Sequence, residues 1–125
     1  ETVVGLVIRG SAREGNVLIV GRGGQALLRK HSGVLHVRIV APLDERIRIV
    51  ANRERLEWRA AQSRVRASDR ARTDYVRRYH GVDRSDSTLY HLVINTGKVT
   101  VDTAVSLIGM AQQANSQPDS IGATE

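Results

Sequence analysis

The chain has 125 residues, 41% of them hydrophobic, enough for the core of one globular domain and too little for two. It contains no cysteine, so disulfides and thiolate metal sites are excluded, and no apolar run reaches membrane-spanning length. The formal charge is +6, and of the 19 basic residues only Lys30 and Lys98 are lysines, so the excess is carried by guanidinium groups that match phosphate oxygens bidentately.

In chain order, Thr2 to Ile8 is rich in β-branched residues, and its periodicity favours a strand. Gly15 and Asn16 signal a turn before Val17, Leu18, Ile19 and Val20, a continuous apolar run of the kind found in strands buried on both faces. Gly21, Arg22, Gly23 and Gly24 end that run, and a short helix through Ala26, Leu27 and Leu28 stops at His31 to Gly33. Leu35, Val37 and Ile39 alternate with His36 and Arg38 as a second strand, and Pro42 with Asp44 and Glu45 suits the first turn of a helix.

From Leu43 to about Tyr79 the pattern is helical, broken near Asn52 to Arg55, with a thin apolar stripe at Ala60, Ala67, Ala71 and Tyr75. Gly81 ends it, and a loop rich in Asp and Ser runs from Val82 to Tyr90. Leu92, Val93 and Ile94 form a third short strand, and Thr100 caps a last helix with Val101, Ala104, Val105 and Ile108 on one face. Residues 112–125 lack an apolar pattern and read as a disordered tail. Strands alternating with helices predict an α/β fold, a parallel sheet of three or so strands covered by helices in three layers.

The stretch GRGGQA after a strand matches G-x-G-x-x-A superficially, but its helix is short and no acidic residue follows the second strand to hold a ribose, so the dinucleotide reading ranks low. Glycines at the carboxyl end of a parallel strand still let the backbone approach a ligand, with Arg22 in that crevice. The plainer reading is a tight turn with a solvent-facing arginine. Along the arginine-rich helix, Asp69 with Arg72, and Asp74 with Arg77 and Arg78, stand at ion-pairing spacing, which accounts for many of the charges. Arg64, Arg66, Arg70 and Arg72 nevertheless outnumber nearby carboxylates, and a movable helix with spare arginines suits phosphoryl transfer. His31, His36, His80 and His91 have no metal-ligand spacing.

Taken in order, NVLIVGRGGQALL, VLHVRIVAPLDERI, SDRARTDYVRRYHGVD and LYHLVINTGKVTVDTAVSLI resemble the cytidylate-kinase-like family of P-loop nucleoside monophosphate kinases, over about Gly15 to Ile108. The resemblance implies a partial P-loop kinase fold over residues 1–111, a helix before the first strand at Thr2 to Arg13, and a lid helix at about 56–80. It implies acceptor-nucleotide binding by Arg22 with Gly21 and Gly23, Gly23 standing where classical cytidylate kinases have an aspartate. It also implies catalytic lid arginines at Arg70 and Arg72 with Asp69 as their positioning partner, and Asn95, Thr96, Gly97 and Lys98 as the loop against the donor base. Arg77 and Arg78 are further lid candidates.

ATP and magnesium are the implied cofactors and nucleotides the implied partners, with no membrane association and a cytoplasmic location as the default. G-x-x-x-x-G-K-[ST] occurs nowhere in the sequence, which begins at Glu1. The expectation is therefore a processed chain or fragment, inactive as it stands, that belongs to an enzyme moving the γ-phosphoryl of ATP to a nucleoside monophosphate. In the related fold the P-loop strand lies between the first two strands, so either these pair directly or a strand comes from a missing N-terminal segment or a second copy in a homo-oligomer. The alternatives are a non-catalytic sensing or assembly module and a binder of nucleic acid or another polyanion through the Arg46 to Arg84 face.

Overall fold

A computed structural model of the chain describes residues 18–20, 24–30 and 32–115. The elements in order are α1 (Gly24–Leu27), β1 (Val37–Val40), α2 (Leu43–Glu54), α3 (Trp58–His80), a 3-10 turn (Ser87–Leu89), β2 (Leu92–Asn95) and α4 (Val101–Asn115). The expectations for Thr2 to Arg13 lie outside the described residues, as do those for residues 116–125; α4 itself runs through Gln112 to Asn115.

Among the described residues the sheet is two-stranded and parallel, in the register Val37↔Leu92, Arg38↔Val93, Ile39↔Ile94 and Val40↔Asn95. The fold is thus mixed α/β with a small parallel sheet, as the alternation of elements predicts. The strand expected over Val17–Val20 is not formed at Leu18–Val20, so it does not pair with β1; Val17 lies outside the described residues. A strand depends on a ladder partner, and here Leu18 is 88% and Val20 81% exposed.

The packed core lies between α2 and α3. Ile47 is 1% exposed, Ala61 0% and Val65 5%, with Leu43, Val50, Ala51 and Leu56 packed around them. Helix α2 ends where Arg55 takes a left-handed conformation, φ 55° and ψ 50°, and its N–H donates to the Ala51 carbonyl. That sharp turn folds α3 back onto α2. Helix α3 ends in a left-handed Gly81, φ 66°, whose N–H donates to the Arg77 carbonyl, a cap that glycine adopts without side-chain strain.

The apolar stripe expected at Ala60, Ala67 and Ala71 is exposed, and α3 buries Ala61 and Val65 instead. The reason is that α2 covers only the first half of α3, so the buried face is set by where Ile47 docks. Beyond Val65 the long helix stands with its arginines in solvent.

Candidate functional site

The glycine turn Gly21, Arg22 and Gly23 lies outside the described residues. Helix α1, which follows it directly, touches α3. Gln25 of α1 donates through Nε2 to the Leu89 carbonyl at 2.9 Å, so α1 is also tied to the loop that leaves α3.

On α3, Arg70 and Arg72 are both exposed. Arg72 donates to the Ser68 hydroxyl at 2.9 Å, and neither arginine forms an ion pair among the described residues. Asp69, expected beside these arginines as their positioning partner, is bonded to a residue of another helix. Asp69 accepts from Nη1 of Arg46 through both oxygens, at 2.9 and 2.8 Å, while Nε of Arg46 donates to the Ala41 carbonyl at 3.1 Å. Arg46 is rooted on α2 and stands where it bonds both the end of β1 and the middle of α3, so it wins the carboxylate that helix spacing alone assigns to Arg72. Likewise no ion pair joins Asp74 to Arg77 or Arg78 among the described residues.

A cleft of about 290 Å³ between α2 and α3 is lined by Arg46, Arg53, Arg64 and Arg72 together with Glu54 and Asp69. Glu54 accepts from Arg53 at 3.3 Å and is ion-paired with Arg64 at 2.9 Å, and Asp69 is taken by Arg46. Among the described residues, Arg72 is left as the cleft cation without a carboxylate.

The Asn95 to Lys98 loop is built from its own bonds. Asn95 Oδ1 accepts from the Gly97 N–H at 2.8 Å, Thr96 N–H donates to the Val40 carbonyl at 2.9 Å, and Lys98 N–H donates to the Asn95 carbonyl at 3.0 Å. A Cβ at Gly97 would overlap the Pro42 ring, so glycine is required for the loop to close on the start of α2. Lys98 is exposed, whereas the side-chain oxygen of Asn95 serves the loop itself.

Sequence reasoning passed over the histidine pair at the entry to the sheet. His36 is 8% exposed and stacks on His91 with ring centroids 5.6 Å apart; its backbone N–H donates to His91 Nδ1 at 2.9 Å. Burial pushes the His36 pKa below its ordinary value, the neighbouring His91 pushes the same way, and a hydrogen bond with the Leu28 backbone opposes them. Alternation with Val37 and Ile39 assigned His36 to the polar side of a strand. His91, on which its ring stacks, is remote in sequence.

Among the described residues no helix is long and apolar enough to cross a membrane. The sequence pattern of the "Cytidylate kinase-like family" matches residues 4–98. The chain is 31% identical over 97 residues to a cytidylate kinase of Aeropyrum pernix, covering 78% of this chain and 56% of that one. To a cytidylate kinase of Methanopyrus kandleri it is 28% identical over 111 residues, 82% of this chain and 58% of that one.

A uronate isomerase of Corynebacterium glutamicum is 32% identical over 95 residues, 76% of this chain but only 18% of the isomerase, so its name describes a protein that is mostly unmatched. The crystal structure of an uncharacterized protein from Eubacterium ventriosum superposes with a TM-score of 0.81 at 25% identity, over 88% of this chain and 63% of that one. The chain thus spans between half and two-thirds of the length of these two cytidylate kinases. With most of its length inside the family pattern, the chain belongs to the cytidylate kinase-like family.

Proposed function

We propose that this chain is the phosphate-embracing part of a nucleotide phosphotransferase that moves the γ-phosphoryl of ATP to a nucleoside monophosphate. In this reading Arg22, with Gly21 and Gly23, receives the acceptor nucleotide, and Arg70 and Arg72 close on the phosphates from α3. The observation that carries the reading is that both arginines stand on a 23-residue helix without a carboxylate partner among the described residues. Guanidinium groups held free in this way gain most when phosphoryl charge arrives between them.

Asp69 acts through Arg46, fixing the middle of α3 to the end of β1, and so positions the helix instead of either lid arginine. Asn95, Thr96, Gly97 and Lys98 offer a rigid loop edge to the donor base, with Lys98 as its exposed cation. The spare guanidiniums fit a phosphate-bearing cofactor such as ATP. Among the described residues no group of three or more His, Asp or Glu side chains gathers to hold a metal ion.

The phosphate cradle of the G-x-x-x-x-G-K-[ST] type is absent from the sequence, so the 125 residues alone are proposed to be inactive. A strand supplied by further polypeptide would cover Leu18 and Val20, and Ile39, which is 51% exposed. A thermal-shift series with CMP, UMP, AMP and ATP tests the reading. Stabilisation by one monophosphate above the others is expected. Binding indifferent to base and falling steeply with salt would instead identify the exposed arginines as a polyanion surface.

A further inference from the structure

We propose that the C-terminal end of α3 carries a stacking site for a nucleobase with its phosphate, formed by Tyr75 and Tyr79 together with Arg77 and Arg78. The phosphotransferase reading places its phosphates at Arg22, Arg70 and Arg72 and makes no use of either tyrosine, so the inference stands apart from it.

Tyr75 and Tyr79 are four residues apart on α3 and therefore share a face. Their ring centroids lie 5.0 Å apart with the planes tilted by 46°, and His80 meets Tyr75 edge-on, centroids 6.0 Å apart at 65°. These contacts hold Tyr75, which is partly buried, and leave Tyr79 projecting beside it at 60% exposure. Tyr79 is thus no member of the core, and a large ring left in water beside a second ring offers a surface to a flat partner.

Against the pair opens a hollow of about 580 Å³, lined among the described residues by Asp74, Tyr75, Arg77, Arg78 and Tyr79. That volume falls within the range of roughly 300–1,000 Å³ occupied by small-molecule sites. Arg77 and Arg78 stand in the last turn of α3, where cations complement the helix carbonyls, which accounts for their charge but not for the rings beside them. Among the described residues no ion pair engages either guanidinium, and Asp74 is the one carboxylate of the lining, so cations are in excess. A ligand that satisfies the whole hollow presents a flat apolar body to the rings and an anionic group to the guanidiniums. A base joined to a phosphate has both parts: its π face stacks on tyrosine, and its phosphate oxygens accept from the guanidinium forks. A free nucleotide and a nucleotide within a single strand share this chemistry.

The test is an NMR titration of the wild-type chain with CMP, AMP, a hexanucleotide of deoxycytidine and inorganic phosphate. The chain has three tyrosines, and Tyr90, whose hydroxyl is bonded to the Arg84 carbonyl, is the internal control. The Tyr75 and Tyr79 ring signals are expected to move upfield on one saturating curve with each base-bearing probe, while Tyr90 stays still. Inorganic phosphate should move the Arg77 and Arg78 Nε–Hε signals and leave the tyrosines unmoved. Tyr79→Leu is expected to weaken binding at this site about tenfold and Tyr79→Phe to retain it. Trp58→Leu, at an aromatic 49% exposed at the opposite end of α3, should leave it unchanged. Binding of the hexanucleotide more than about tenfold tighter than CMP assigns the site to single strands, and a smaller difference assigns it to the free nucleotide.

Tyrosine signals that stay still with nucleotide in large excess, or that move in step with Tyr90 and without saturation, would overturn the site. So would tyrosine shifts that follow protein concentration with no ligand present, which would make the hollow a contact between copies of the chain. Nucleotide binding that Arg22→Met abolishes and Tyr79→Leu leaves intact sinks the stacking site and keeps the phosphotransferase reading. Binding lost with Tyr79→Leu and indifferent to Arg22→Met keeps the site and sinks that reading. The wild-type titration decides even if a variant does not fold.

Discussion

The α2–α3 hairpin and α4 handle apolar side chains in opposite ways. In the hairpin, Ile47 and Ala61 are 1% and 0% exposed. On α4 only Ala104 is buried, while Val101 is 69%, Val105 63% and Met110 69% exposed. The difference follows from what each element packs against: α2 and α3 bury apolar faces on each other, whereas α4 leaves most of its apolar residues in water. Exposed apolar surface of this extent marks a side of the molecule suited to contact. Stability should therefore reside in the hairpin, the element that carries Arg70 and Arg72.

The most damaging change should be Ile47→Ala, expected to cost about 2–4 kcal/mol in urea unfolding because it opens a cavity among side chains that cannot collapse into it. A cost below about 1 kcal/mol would mean that the hairpin is not the seat of stability. Gly97→Ala should cost about 1–3 kcal/mol, since its methyl group overlaps the Pro42 ring and α2 would have to shift. Asp69→Asn leaves Arg46 without its carboxylate in a setting where the two side chains are 35% and 32% exposed; about 1 kcal/mol is expected, with α3 loosened relative to β1 in hydrogen exchange.

The sheet should show the pH dependence. His36 has a lowered pKa when folded, so between that value and the ordinary imidazole value of about 6.5 the unfolded chain binds a proton that the folded chain refuses. Its contribution is fully present above about pH 6.5 and is lost as pH falls through the folded value. His36→Gln should flatten that slope in unfolding curves recorded between about pH 5 and 8. The smallest effect belongs to Val105→Ser on α4, expected within about 0.5 kcal/mol, because the side chain has little to lose.

Elements whose signals are local could be read from the sequence. The Arg55 break, the Gly81 stop and the Thr100 cap all appear, with Thr103 N–H donating to Thr100 Oγ1 at 3.1 Å. Features set by a distant partner could not. Asp69 stands at the right spacing for Arg72 on one helix, yet Arg46 from another helix takes it. The face of α3 that is buried depends on where Ile47 docks, and helical periodicity in an alanine-rich and arginine-rich stretch offers several equivalent stripes.

The central claim is that the glycine turn and α3 serve one phosphorylated ligand. A double-mutant cycle tests it most directly, with Arg22→Met and Arg72→Met measured for affinity toward whichever of CMP, UMP or AMP stabilises the chain most. Two arginines on a shared phosphate predict a coupling above about 0.5 kcal/mol between the substitutions. Losses that add to within about 0.3 kcal/mol, or no affinity for any of the three nucleotides in the unmutated chain, would contradict it.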